Sequence, residues 1–153
     1  PTSLVKTLAI QPEYLKTHGR DGLINYSEWS VPLGRRFRAL KLWFLLRSYG
    51  LKALRLRLRN HVSWAEDLAK RLEDNPQFEI VTAPILSLFT FRLTGFDDAA
   101  QIDFVNRIND DGQIYITQTK VDGKIAIRFQ IGQFDVTEAD IQFAYKVMCE
   151  MVN

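Results

Sequence analysis

Cysteine is almost absent from this chain. Cys149 is the only one in 153 residues, so no disulfide can form within the chain, and the composition suits a reducing compartment. Cys149 falls in the last predicted helix, where a small buried hydrophobe is the expected role. Histidine is nearly as scarce. His18 and His61 lie far apart, and neither has a His, Cys or carboxylate at ligand spacing, so no metal site is expected. Long apolar runs are missing as well. No stretch approaches the ~20 residues of a membrane-spanning helix, and the N-terminal segment lacks the basic-then-apolar pattern of a secretion signal. No membrane partner is therefore expected, and the cytoplasm is the expected location. Gly-rich phosphate loops of the Rossmann or Walker type are lacking, as is a nucleophile elbow. A net charge of +2 is too small to argue for nucleic acid, and strand-borne aromatic platforms at RNA-binding spacing are missing too. The chain also starts Pro1-Thr2-Ser3, without Met, which suggests a piece of something longer.

What is present can build a core. The chain is 46% hydrophobic and 25% charged, with ten Phe, five Tyr and three Trp, which excludes disorder over its whole length. Residues 1–10 read as a strand whose partners lie elsewhere. Residues 11–34 form a long connection broken by Pro12, Gly19, Gly22, Pro32 and Gly34, yet carrying Tyr14, Tyr26 and Trp29. A loop of that length and aromatic content is expected to be functional.

Periodicity begins near Arg35. Phe37, Leu40, Trp43, Phe44 and Leu46 predict a helix ended by Gly50. Leu51, Leu54, Leu58, Val62, Ala65, Leu68 and Leu72 predict a second, stopped by Asn75-Pro76. Strands are predicted over Phe78–Ala83 and Leu86–Leu93, separated by Pro84. A helix follows from Asp97, with Ile102, Val105 and Ile108 on one side, and ends at Asp111-Gly112. Ile114–Thr119 is predicted as a strand, Val121-Asp122-Gly123 as a hairpin turn, and Lys124–Ile131 as the clearest strand. Thr137 and Asp140 have capping-box spacing ahead of a closing helix bearing Ile141, Ala144, Tyr145, Met148 and Val152. The order ααββαββα predicts an α+β fold, two helices followed by a small, mainly antiparallel sheet with helices on one face.

Between Arg35 and Arg59 stand nine Lys or Arg and no acid. Arg55 and Arg59 share a helical face, with Lys52 nearby. A solvated helix face with long apolar stems, or contact with an acidic partner, is preferred over phosphate binding. Arg128 sits mid-strand, on the face opposite Ile125, Ile127, Phe129 and Ile131. It is either solvent-exposed or, if that face is covered, suited to a bidentate grip on a carboxylate. Tyr14 is either a packing residue or a general acid held near a carbanion.

The run from Gly22 to Trp43, with its Pro-Leu-Gly-Arg-Arg-Phe-Arg-x-Leu-Lys-x-Trp core at Pro32–Trp43, resembles the group II pyridoxal-phosphate (PLP) decarboxylases, most closely their aromatic L-amino-acid branch. Pro12-Glu13-Tyr14-Leu15-Lys16 matches the segment that precedes this core. Phe78-Glu79-Ile80, Phe91-Arg92-Leu93 and Ile127-Arg128-Phe129 follow in the family's order. The resemblance implies the C-terminal part of a fold-type I PLP enzyme, a homodimer with active sites at the subunit interface. Residues 1–34 would be the end of the large domain and a mobile catalytic loop, and 35–153 the small α+β domain. Tyr14 would be the loop tyrosine that protonates the substrate Cα, and His18 would share that loop. Gly34 would offer its backbone amide to the cofactor phosphate of the other subunit, and Arg128 would lie on the substrate side.

One departure from the family bears on function. The family's Schiff-base lysine belongs to a His-Lys pair, and no such pair occurs here. The family's aspartate that pairs with the pyridine nitrogen also lies upstream of the matched segments. The isolated chain is therefore expected to be inactive and to hold no cofactor alone. Its expected partners are the missing N-terminal large domain, a second subunit and an amino-acid substrate. An aldehyde synthase of the same family is the enzyme alternative, set aside because Tyr14 is not Phe. A free-standing α+β interaction module using the basic helix is the alternative from another class.

Overall fold

The structure is a computed structural model that describes residues 2–8 and 38–152. The chain divides into two compact units, Pro1–Leu56 and Arg57–Asn153. Their elements in chain order are α1 (Thr2–Leu8), α2 (Arg38–Glu73), β1 (Phe78–Ile85), β2 (Leu88–Leu93), α3 (Asp98–Asp111), β3 (Thr117–Val121), β4 (Lys124–Gln130) and α4 (Glu138–Met151).

In the first unit, the segment expected to be a strand is the helix α1. Leu4, Val5 and Leu8 fit a helical period as well as an extended one. The Thr7 hydroxyl donates back to the Ser3 carbonyl at 3.0 Å, a local bond that needs no strand partner. The start of α2 also belongs to this unit. Its Leu42, Trp43, Phe44, Leu45 and Leu46 are consecutive, so apolar side chains project all round the axis, and each of them is exposed. A helix apolar on every side is of the kind normally buried on every side. At Gly50 the backbone takes φ 73° and ψ 153°, a conformation essentially reserved for glycine. The helix therefore breaks where the sequence predicts.

The second unit is a four-stranded antiparallel sheet, in the order β1-β2-β4-β3, with helices packed on one face. Phe78, Phe89, Phe91 and Ile127 from the sheet form one buried cluster with Leu68 and Leu72 of α2, Phe104 and Ile108 of α3, and Ile141 and Met148 of α4. Pro84, expected to end β1, lies within it. β1 is an edge strand with irregular register after Ile80, so one missing N–H is tolerated there. The β3–β4 turn falls on Asp122 and Gly123, with φ of 50° and 80°, the pair of positive values that a type I′ hairpin requires.

β3 starts at Thr117 and not at Ile114. The Asn109 side chain on α3 donates to the Ile116 carbonyl at 3.0 Å and accepts from the Ile116 N–H at 2.9 Å, so this backbone has a side-chain amide in place of a strand. Gln101, fully buried on the same helix, treats the end of β2 alike. It accepts from the Leu93 N–H at 2.9 Å and donates to the Leu93 carbonyl at 3.0 Å. α3 itself opens on Asp97, whose side chain accepts from the Ala100 N–H at 2.8 Å, and closes on Gly112 at φ 77°, the left-handed cap expected of Gly.

Candidate functional site

The sheet face away from the helices carries Arg128. Alternation along β4 puts it there, and register surrounds it. Thr90 on β2 and Thr117 on β3 are its cross-strand partners, and Thr82 on β1 pairs with Thr90. One row across all four strands therefore reads Thr82, Thr90, Arg128, Thr117. The Thr82 and Thr90 hydroxyls lie 2.8 Å apart, and the Thr90 N–H donates to Thr82 Oγ1 at 3.1 Å. Arg128 Nη2 donates to Gln130 Oε1 at 3.3 Å.

Arg128 is half-buried and lines a groove of about 690 Å³ together with Thr117, Tyr115, Gln133, Asp135 and Phe143. Ile141 and Ala144 of α4 line it too, so the groove reaches the helix-bearing side of the sheet, and its volume would admit a small carboxylate within reach of an arginine. Two acids line the same groove, and both are engaged. Asp135 Oδ1 lies 4.0 Å from Arg57 Nη1. Asp140 accepts from the Thr137 hydroxyl at 2.7 Å and from the Thr137 N–H at 2.8 Å, and these bonds hold its carboxyl below the usual range. This is the capping box that the sequence predicts.

A second arginine on the same strand face does structural work. Arg92 is buried. It pairs with Asp98 at 2.8 Å and Glu79 at 3.5 Å, and donates to the carbonyls of Ile125 and of Phe96. It thereby joins β1, β2, β4 and the start of α3. Its bond to Asp98 lowers that carboxyl's pKa.

The sequence marks both arginines by alternation, since each interrupts a run of large apolar residues. It gives no sign that Arg57 would meet the groove wall, because that contact is made 77 residues away, over the Phe134 ring. Tyr14, His18 and Gly34 lie outside the described residues. His61 is buried beside Trp64, with ring centroids 5.9 Å apart, and its Nε2 has no hydrogen-bond partner. Burial, and then the charge of Arg57, lower its pKa, so the ring is held neutral. Among the described residues no group of His, Cys, Asp or Glu could hold a metal ion, and no helix is long and apolar enough to cross a membrane. Lys52, Arg55 and Arg59 are exposed, in keeping with a solvated helix face.

Residues 1–94 match the pyridoxal-dependent decarboxylase conserved domain. Over 98% of its length the chain is 37% identical to a tryptophan decarboxylase of Camptotheca acuminata, covering 32% of that protein. It is 35% identical to a phenylacetaldehyde synthase of Arabidopsis thaliana over 97% of its length, again covering 32% of the relative. The chain thus spans about a third of the length of the curated relatives it matches. Among solved structures, the tryptophan decarboxylase of Catharanthus roseus in complex with L-tryptophan superimposes with a TM-score of 0.69 at 26% identity, over 99% of this chain and 32% of that one.

Proposed function

The chain belongs to the pyridoxal-dependent decarboxylase family, and on that premise we propose that it is the C-terminal part of a carboxy-lyase acting on aromatic L-amino acids. The observation that carries this reading is the similarity to an aromatic amino-acid decarboxylase along 98% of the chain, joined to the half-buried Arg128 in the lining of an open groove.

The family's cofactor is PLP, and a related decarboxylase of Oryza sativa has been solved with PLP and tryptamine. The described residues of this chain do not fit that cofactor alone. Among the described residues no lysine lines the Arg128 groove, so none of them offers an amine there for a Schiff base, and no His-Lys pair occurs in the sequence. The complete enzyme is a cytoplasmic homodimer whose large domain brings the lysine and the partner of the pyridine nitrogen, and the chain by itself is inactive. Residues 1–34 are the end of that large domain and the catalytic loop, and residues 35–153 are the small domain.

What this chain contributes is recognition and a proton. Arg128 receives the substrate's carboxylate in the bidentate geometry that a guanidinium favours. Tyr14 delivers a proton to the substrate Cα once carbon dioxide has left. His18 belongs to the same loop, and Gly34 turns its backbone amide toward the cofactor phosphate of the other subunit. The likeness to a phenylacetaldehyde synthase supports a second reading, oxidative deamination with loss of carbon dioxide. Tyr14 favours plain decarboxylation, because Phe at that position is what the resemblance associates with aldehyde formation. In the complete enzyme, Tyr14→Phe is expected to cut amine formation and release aldehyde. An undiminished rate of amine formation with no aldehyde would remove Tyr14 from the proton-donor role.

A further inference from the structure

We propose that Arg57 is a positioning residue for the Arg128 groove: it seats the loop between β4 and α4 and neutralises that loop's one acidic side chain. The inference rests on the reading of Arg128 as the carboxylate receptor.

The loop is fixed at its two ends. Before it, the buried Ile131 donates its N–H to the Ser87 carbonyl at 3.0 Å. After it, the Thr137–Asp140 capping box starts α4. Between these anchors the loop's own backbone bond is long, from Val136 N–H to the Gln133 carbonyl at 3.4 Å. Arg57 grips this stretch. Its guanidinium carbon lies 3.8 Å from the centroid of the Phe134 ring, while Nη1 reaches Asp135. Gln133, Asp135 and Val136 are in turn part of the lining of the groove that Arg128 also lines.

Two effects therefore meet in one side chain. The ring contact holds the groove wall in place. The ion pair offsets the Asp135 charge in the groove wall. Loss of Arg57 leaves an unpaired carboxylate in the wall of a site that has to accept a carboxylate. The Asp135 side chain is 90% exposed, so solvent screens much of this penalty. The expected change is roughly 3- to 10-fold in KM, as fits the loss of one exposed cation–π contact and one exposed ion pair.

The test is steady-state kinetics on the complete enzyme with an aromatic L-amino acid. Arg57→Gln is expected to raise KM by that factor with kcat nearly unchanged. Adding Asp135→Asn to it is expected to recover part of the loss, and Arg57→Lys to lose less than Arg57→Gln. Phe134→Leu retains the charge of Arg57 and removes its seat. It provides a second reading, with KM moving the same way, should Arg57→Gln melt before it can be assayed. If Arg128→Gln raises KM while neither Arg57→Gln nor Phe134→Leu does, the positioning role is overturned and the receptor role of Arg128 stands. If Arg128→Gln leaves KM unchanged, the receptor role fails and this inference fails with it. If Arg57→Gln raises KM but neither Asp135→Asn nor Arg57→Lys restores any of it, the effect is general loosening and the proposal is wrong.

Discussion

On the helix-covered face of the sheet, Phe89, Phe91 and Ile127 have no exposed surface. On the other face Thr82, Thr117 and Arg128 remain half open. The first face is held by area: aromatic rings interlock, with Phe78 edge-on to Phe91 and Phe89 stacked on Phe129, and close packing is non-directional. The second face is held by specific bonds, Thr82 to Thr90 and Arg92 to four partners on two other strands, a loop and a helix start. A face built from volume tolerates no holes. A face built from directed bonds is left partly open, and two of its residues, Arg128 and Thr117, also line the groove.

The contrast can be broken in three places. Phe91→Ala should be the most damaging change, costing about 3–5 kcal/mol as expected of a buried Phe, with the urea midpoint shifted and the slope unchanged. A loss below about 1 kcal/mol would mean that the covered face is not close-packed. Arg92→Met should cost less, about 2 kcal/mol, because it strands buried carbonyl groups while Glu79 and Asp98 can turn to water. If the variant matches the parent in stability, the bonded face gains nothing from its hub. The smallest effect is a change with pH. His61 has its pKa lowered below the ordinary value of 6.5, so the unfolded chain binds the proton more readily than the folded one. Its contribution is complete above about pH 6.5 and is lost as pH falls from there toward the lowered folded value. Unfolding free energy measured across that window should decline with acidification, and His61→Phe should flatten the decline. A His61→Phe variant that follows the parent's curve would place the titration elsewhere.

The parts of this fold that were legible in the sequence are those set by neighbours along the chain. Gly50, the Asp122-Gly123 turn, the Asp97 cap and the alternation of β4 each follow from local backbone chemistry. What was not legible came from distant contacts. Residues 1–10 are a separate case, because their apolar pattern suits either period. Pro84 sits inside β1 because that strand lies on an edge, a fact of topology. Ile114–Thr119 alternates as a strand should, but Asn109 reaches the backbone of Ile116 first. Of the candidate site, Arg128 was visible as a charge opposite apolar neighbours. Its flanking threonines required the register of three strand pairs, and Arg57 required the loop to fold back over it.

The two side-chain amides of α3 have a consequence for how this segment can change. Gln101 and Asn109 are eight positions apart, about 12 Å along a helix axis, and each closes on the backbone of a different strand. Together they act as a gauge. Most substitutions between them leave the gauge intact, but inserting or deleting a single residue turns one amide by about 100° relative to the other and disengages it. The stretch from Gln101 to Asn109 is therefore closed to variation in length, while its exposed positions Ile102, Asp103 and Arg107 stay open to variation in sequence.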